Sequence, residues 1–196
     1  MINLIAMGMT FVMACGTPDL ISESESDSSP IEAPTTIGFL ETTECSYSVG
    51  DKACDFQLRD QDDDLWRLDS HLGDVVLIDL SAMWCGPCQH AATTAQSTQD
   101  LYEAYGFHYV SVLIDDPTGE PVESADLVTW GESYGILTAP ILEGSRDLLQ
   151  SGGATNGFPV TSWPTFILVN RKQEVVWGLR GFNEALILEA IDAHIE

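Results

Sequence analysis

Two cysteines separated by two residues, Cys85 and Cys88 in Trp84-Cys85-Gly86-Pro87-Cys88, are the side chains of this sequence best suited to chemistry. Thiols at this spacing can close and reopen a disulfide, so the pair can exchange two electrons with another disulfide and needs no bound cofactor. The attacking species is a thiolate, which forms most readily in a positive local field. Gln89-His90-Ala91-Ala92-Thr93-Thr94-Ala95-Gln96 is compatible with a helix, and Pro87 suits its first turn, where a missing N–H costs nothing. Cys85 is then expected at the helix N-terminus, beside free backbone N–H groups and the positive end of the dipole.

Such a motif needs a rigid base, and Val75-Val76-Leu77-Ile78-Asp79-Leu80 reads as a buried strand interrupted only by Asp79. Strand, short turn, Cys-x-x-Cys and helix form a redox arrangement. Around it the sequence predicts a hairpin near Phe56–Leu58 and Leu65–Leu68, a helix from Cys85 to Ala104 and a strand over Tyr109–Ile114. A turn cluster at Asp115–Gly119 precedes a second helix over Val122–Tyr134. Residues Ile141 to Pro159, with Gly152, Gly153 and Gly157, read as a long surface connection. Strands Phe166–Asn170 and Val175–Leu179 and an amphipathic helix over Glu184–Ile195 complete the chain. The expected class is α/β: a central mixed sheet flanked by helices, with an N-terminal β-hairpin extension.

A chain of 196 residues holds one ordinary domain plus an extension. Its 31 acidic against 7 basic residues give a formal charge of −24, which opposes nucleic-acid and anionic-lipid partners. Met1–Ala14 is apolar but shorter than the roughly 20 residues that span a bilayer, and it reads as a signal peptide, although no Lys or Arg precedes it. Val12-Met13-Ala14-Cys15 resembles the lipobox of bacterial lipoproteins, which implies lipidation of Cys15. Residues 15–44 read as an acidic Ser/Pro-rich tether and 45–196 as the folded domain. The expected location is the bacterial cell envelope, at the periplasmic face or the outer membrane, with the lipid anchor as the sole membrane contact.

Four cysteines remain, in two close pairs. An exported protein meets oxidising surroundings, so Cys45 and Cys54, nine positions apart, are expected to form a structural disulfide. A second redox relay is the alternative, but Glu44, Ser46, Ala53 and Asp55 supply no helix start or basic neighbour to acidify a thiol.

Trp84 to Cys88 matches the active-site motif of thioredoxins residue for residue, and Asp79, six positions before Cys85, matches their buried acid. Ser162-Trp163-Pro164-Thr165 resembles the loop bearing the family's cis-proline. Val49-Gly50-Asp51-Lys52-Ala53-Cys54-Asp55-Phe56-Gln57-Leu58, followed by Gly73-Asp74, resembles the opening of TlpA-like membrane-tethered thioredoxins and peroxiredoxins of the redoxin or AhpC/TSA superfamily. The resemblance implies a thioredoxin fold and a monomeric thiol-disulfide oxidoreductase that exchanges disulfides with exported client proteins and receives electrons from an upstream thiol donor. Within it Cys85 attacks, Cys88 resolves, and Asp79 exchanges a proton with Cys88. Pro164 presents backbone to an extended substrate and denies metals access to the thiols, while Trp84, Gly86, Pro87 and Trp163 form the substrate surface. The Gly-Pro dipeptide resembles reducing thioredoxins, near about −270 mV, more than oxidants near about −120 mV. Two departures stand out: Cys54 replaces a usual proline, and Trp163 is bulkier than the usual residue at its position.

Competing chemistries fit less well. Peroxiredoxins place Thr or Ser three residues and Pro seven residues before the reactive cysteine, where this chain has Ala82 and Ile78. Haem attachment needs His directly after the second cysteine, where Gln89 stands. Cys45 and Cys54 are too widely spaced to complete a four-ligand zinc site. Cu(I) handling by Cys85, Cys88 and a histidine, or a redox-inactive interaction module, completes the alternatives. No metal site and no cofactor beyond the Cys85–Cys88 disulfide are expected. Asp79 is expected to be an isolated, desolvated carboxylate, with a strand-end acid reaching solvent as the alternative.

Overall fold

The computed structural model describes residues 37–40 and 44–196. The signal segment 1–14, Cys15 and the tether as far as residue 36 lie outside them. Two sheets organise the chain. The smaller, in the order β1-β2-β3, is antiparallel and contains Gly38–Phe39 (β1), Phe56–Arg59 (β2) and Leu65–Arg67 (β3). The larger has the order β6-β5-β4-β7-β8, built from Val75–Ser81 (β4), Phe107–Leu113 (β5), Ile141–Glu143 (β6), Thr165–Val169 (β7) and Val175–Arg180 (β8). β4, β5 and β6 run parallel, whereas β7 is antiparallel to β4 and β8 to β7, giving the expected mixed sheet.

Strand alternation divides the interior into two cores. Val75 and Leu77 of β4 and Phe107, Tyr109 and Leu113 of β5 face the helices Gly86–Tyr102 (α1), Ser124–Tyr134 (α2) and Glu184–His194 (α3). Val76, Ile78, Leu80, Val110 and Val112 face the small sheet. α1 buries Cys88, Ala91, Ala92, Ala95, Thr98, Gln99 and Tyr102, a three- to four-residue rhythm that puts one stripe on the sheet. Gln99 fixes its far end: its Nε2 donates to the Phe107 carbonyl at 3.2 Å and its Oε1 accepts the Tyr109 N–H at 2.7 Å. Among the described residues no helix is long and apolar enough to cross a membrane.

The structure departs from the sequence reading at two places. Gly38 and Phe39, within the segment assigned to the tether, pair with Gln57 and Phe56, and the Phe39 ring lies 5.4 Å from that of Phe158. The short apolar run Ile37-Gly38-Phe39-Leu40 gives this stretch an aromatic anchor within an otherwise polar segment. The segment 141–159 is not a surface connection throughout: Ile141–Glu143 forms the edge strand β6, and Leu148, Leu149 and Phe158 are buried beneath the small sheet. Pro140 and Gly144 on either side give this three-residue strand the sequence signature of a turn.

Candidate active site

β4 ends at Ser81, and the chain turns through Ala82, Met83 and Trp84 into α1. The Cys85 N–H closes this turn on the Ala82 carbonyl at 3.1 Å, and the Met83 N–H is held by the Asp115 carbonyl at 2.9 Å. Cys85 is the N-cap of α1, and its Sγ accepts the backbone N–H of Cys88 at 3.2 Å. The sulfur therefore takes the place that a Ser or Asp oxygen fills at other helix starts, and a negative charge on it is stabilised by that N–H and by the helix dipole. Pro87 occupies the first turn, as the sequence predicts. Cys85 and Cys88 are disulfide-bonded, with Cα atoms 5.2 Å apart, and both are buried.

Asp79 lies on the helix-facing side of β4, in alternation with Val75 and Leu77, and is 1% exposed. It is not isolated as expected: Ser81 Oγ donates to its Oδ1 at 2.7 Å and Tyr109 Oη to its Oδ2 at 2.9 Å. Both donors come from the same sheet face, Ser81 two residues along β4 and Tyr109 from the neighbouring strand. Burial pushes the carboxyl up to about 6, and the two hydroxyls restrain the rise because they stabilise the charged form. The Tyr109 hydroxyl is itself held protonated far above its usual range, by burial first and then by the Asp79 charge.

Trp84 is 45% exposed beside the dithiol, and its Nε1 donates to Asp115 Oδ2 at 3.0 Å. Asp115 is buried and also accepts Arg146 Nε at 2.8 Å, with Nη2 completing a bidentate pair. The Trp163 ring stands edge-on to Trp84 with centroids 6.4 Å apart, and the Trp163–Pro164 peptide is cis. Gly86 and Pro87 are exposed on the first turn of α1. Cys85, Cys88, Trp84, Gly86, Pro87 and Trp163 thus share one end of the molecule, Asp79 lies in the core behind them, and Pro164 follows Trp163 at the start of β7. His90 is exposed on α1 and meets the Phe182 ring at 5.2 Å.

Cys45 and Cys54 stand apart from this site. They form a second disulfide, with Cα atoms 4.9 Å apart, in the core beneath the small sheet. Cys15 lies outside the described residues.

Four contributors escape motif reading: Ser81, Tyr109, Asp115 and Arg146. Ser81 meets Asp79 through the two-residue period of β4, and Tyr109 becomes its partner only through the register of β4 on β5. Arg146 offered one signal, since every arginine is conspicuous in a chain with seven basic residues. Its partner, 31 residues earlier, needs the fold to be found.

The sequence pattern of the AhpC/TSA family matches residues 49–177. No curated protein matches the chain. Solved structures do. A Chlorobium tepidum protein assigned as a thiol:disulfide interchange protein DsbE is 26% identical over 76% of this chain and 99% of its own, with a TM-score of 0.61. A thioredoxin-family thiol:disulfide interchange protein from Chlorobium tepidum TLS superposes with a TM-score of 0.60 at 16% identity, covering 80% of this chain and 100% of the other. The pneumococcal exposed lipoprotein thioredoxin of Streptococcus pneumoniae strain TIGR4 is 25% identical over 71% of this chain and 98% of its own, with a TM-score of 0.54.

Proposed function

The chain belongs to the AhpC/TSA family and is a thiol-disulfide oxidoreductase of thioredoxin fold, and on that premise we propose that it reduces disulfides of exported client proteins through Cys85 and Cys88. The observation that carries this reading is the Cys85 sulfur capping α1 and accepting the Cys88 N–H at 3.2 Å. In the reduced protein the Cys85 thiolate attacks one sulfur of a client disulfide. A Cys85–client bond forms, the client S–S bond breaks, and one client thiolate leaves. Cys88, deprotonated, then attacks the Cys85 sulfur and expels the second client thiolate, leaving Cys85 and Cys88 oxidised. An upstream thiol donor returns two electrons to the pair. Asp79 accepts the Cys88 proton; a carboxyl titrating near 6 is mostly ionised at neutral pH and ready to do so.

Trp84 and Trp163 form an aromatic wall for an extended client segment, and Pro164 sets the backbone beside it. Membrane attachment through lipidated Cys15 is supported by the exposed lipoprotein among the solved relatives. The Gly-Pro dipeptide between the cysteines supports the reducing direction. Ala82 and Ile78 still stand where a peroxidase of this family carries its hydroxyl and proline, so thiol exchange fits better than peroxide reduction.

The test is dithiothreitol-driven reduction of insulin. Wild-type protein should accelerate it, and Cys85→Ser should return the rate to background. A wild-type protein that leaves insulin untouched but consumes hydrogen peroxide far faster than free cysteine would overturn the proposal.

A further inference from the structure

A cluster at the other end of β4 has no part in this chemistry. The short 3-10 helix Leu68–His71 ends with His71, the turn that follows carries Asp74, and β5 brings in His108 opposite Val76. β4 has seven residues, so at the usual strand rise of roughly 3.3 Å the cluster lies about 20 Å along the sheet from the dithiol. His108 Nε2 approaches Asp74 Oδ2 at 3.1 Å, His71 Nδ1 approaches the same oxygen at 4.0 Å, and the imidazole centroids are 4.2 Å apart. One nitrogen or oxygen from each residue falls within 4.8 Å of the others. We propose that His71, Asp74 and His108 form a binding site for a divalent transition-metal ion of the zinc class.

The ligand set argues for this class. Two imidazoles and one carboxylate suit Zn²⁺ and its first-row neighbours, whereas Mg²⁺ and Ca²⁺ prefer oxygen alone. Three protein ligands leave at least one coordination position for water. Zinc bonds of about 2.0 Å in a tetrahedron put ligand atoms about 3.3 Å apart. The Asp74–His108 pair already has this spacing, and His71 needs a small rotation inward.

Three further features hold the ligands in place. The Trp66 ring stacks on His71 with centroids 4.8 Å apart and planes 17° from parallel, which holds the orientation of the imidazole plane. Gly106 makes room for the carboxylate: a Cβ there would lie 2.6 Å from Asp74 Oδ1, and the residue has φ +71°. Arg171, which donates to the carbonyls of Gly73 and Tyr105 at 2.7 Å, ties the two flanking turns together. The chain's charge of −24 raises the local concentration of any cation. An ion here would clip the segment after β3 to β5 and stabilise the sheet end remote from the dithiol.

The test is calorimetric titration of the full, oxidised chain with Zn²⁺, so that all sulfurs of the two disulfides are occupied. One saturable equivalent is expected. Loss of an outer-shell partner weakens metal sites by about 10–100-fold, so removing a ligand in His108→Gln or Asp74→Asn should weaken binding by more than about 100-fold. Gln can still donate to Asp74, which favours folding of that variant. His90→Ala should leave the equivalent unchanged. Should either ligand variant fail to fold, the imidazole resonances of wild-type protein decide: Zn²⁺ should shift those of His71 and His108 and spare those of His90 and His194. Absence of a saturable site in wild-type protein, unchanged affinity in folded His108→Gln, or shifts confined to His90 and His194 would each overturn the proposal.

Discussion

The two disulfides are alike in the measure most often used to separate structural from reactive cysteines, because all four residues are buried, with exposures of 8% and 0% for Cys45 and Cys54 and 5% and 0% for Cys85 and Cys88. They differ in what surrounds the sulfur. Cys85 caps a seventeen-residue helix and accepts a backbone N–H, so its thiolate has a donor and a dipole waiting. Cys45 and Cys54 lie in irregular backbone. Tyr47 donates to the Cys54 carbonyl at 2.7 Å, and the neighbouring Asp55 carboxylate takes up the Arg67 guanidinium at 2.6 Å. The local charge there is negative or already paired, which disfavours a thiolate. The two pairs are thus distinguished by the electrostatics at the sulfur and not by exposure.

The comparison breaks most directly through the cysteines themselves. Limited dithiothreitol should open Cys85–Cys88 while Cys45–Cys54 persists, as mass mapping of alkylated thiols would show. Cys85→Ser should abolish turnover and change stability little. Replacing Cys45 and Cys54 together with serine should do the reverse, costing about 2–4 kcal/mol of stability with insulin reduction retained by the folded fraction. If the two pairs open together, or if the Cys45/Cys54 double variant folds well but cannot turn over, the small-sheet disulfide belongs to a relay.

Asp79 sharpens the contrast because it is an acid that the fold keeps at a cost. An unfolded aspartate titrates near 3.8 and this one near 6. The charged form is therefore disfavoured in the folded state, so Asp79's contribution to stability is fully present below about pH 4 and falls away as pH rises through about 6. Keeping the carboxylate charged at neutral pH costs on the order of 3 kcal/mol. Asp79→Asn removes that cost, and its amide can still bond Ser81 and Tyr109, whose hydroxyls accept as well as donate. The variant should melt higher than wild type at pH 7.5, converge with it at pH 4, and resolve the mixed disulfide more slowly. Equal melting temperatures at both pH values would mean that solvent reaches the carboxylate.

How much of this was legible in the sequence follows from how far apart the partners lie. The dithiol, its helix and the strand before it occupy one continuous stretch, 75–102, and their periodicity and turn residues declare them. Trp163 and Pro164 were legible through resemblance alone. Tyr109 required the register of two parallel strands, and a slip of one residue would turn it away from Asp79. Phe39 sits in an apolar run of four, Ile37 to Leu40, that is short beside the polar composition of the whole segment 15–44. Ile141–Glu143 was concealed by its flanking Pro140 and Gly144. Arg146 is conspicuous as one of seven basic residues, but its pairing with Asp115 is invisible until the segment 141–159 is folded back.

That pairing supplies the smallest effect and the finest test of what surrounds the reactive pair. Asp115 joins two elements: it accepts Trp84 Nε1 from the site and the Arg146 guanidinium from the segment after β6. Arg146 is thus linked to the site through the carboxylate to which Trp84 donates. Its side chain is 61% exposed but Asp115 is 1% exposed, so solvent screens the guanidinium while its loss leaves the buried carboxylate to Trp84 Nε1, and the pair contributes more than the roughly 0.2–1 kcal/mol of an exposed ion pair. If Trp84 meets the client as proposed and takes no part in sulfur exchange, Arg146→Gln should lower kcat/KM for insulin several-fold, through KM. A double-mutant cycle with Trp84→Phe, which keeps a ring but lacks the indole N–H, isolates the path. If Arg146 works through Trp84, its replacement in the Trp84→Phe background should change KM very little. Full additivity of the two changes would show that Arg146 acts on clients directly, as one of the rare positive charges on an acidic surface.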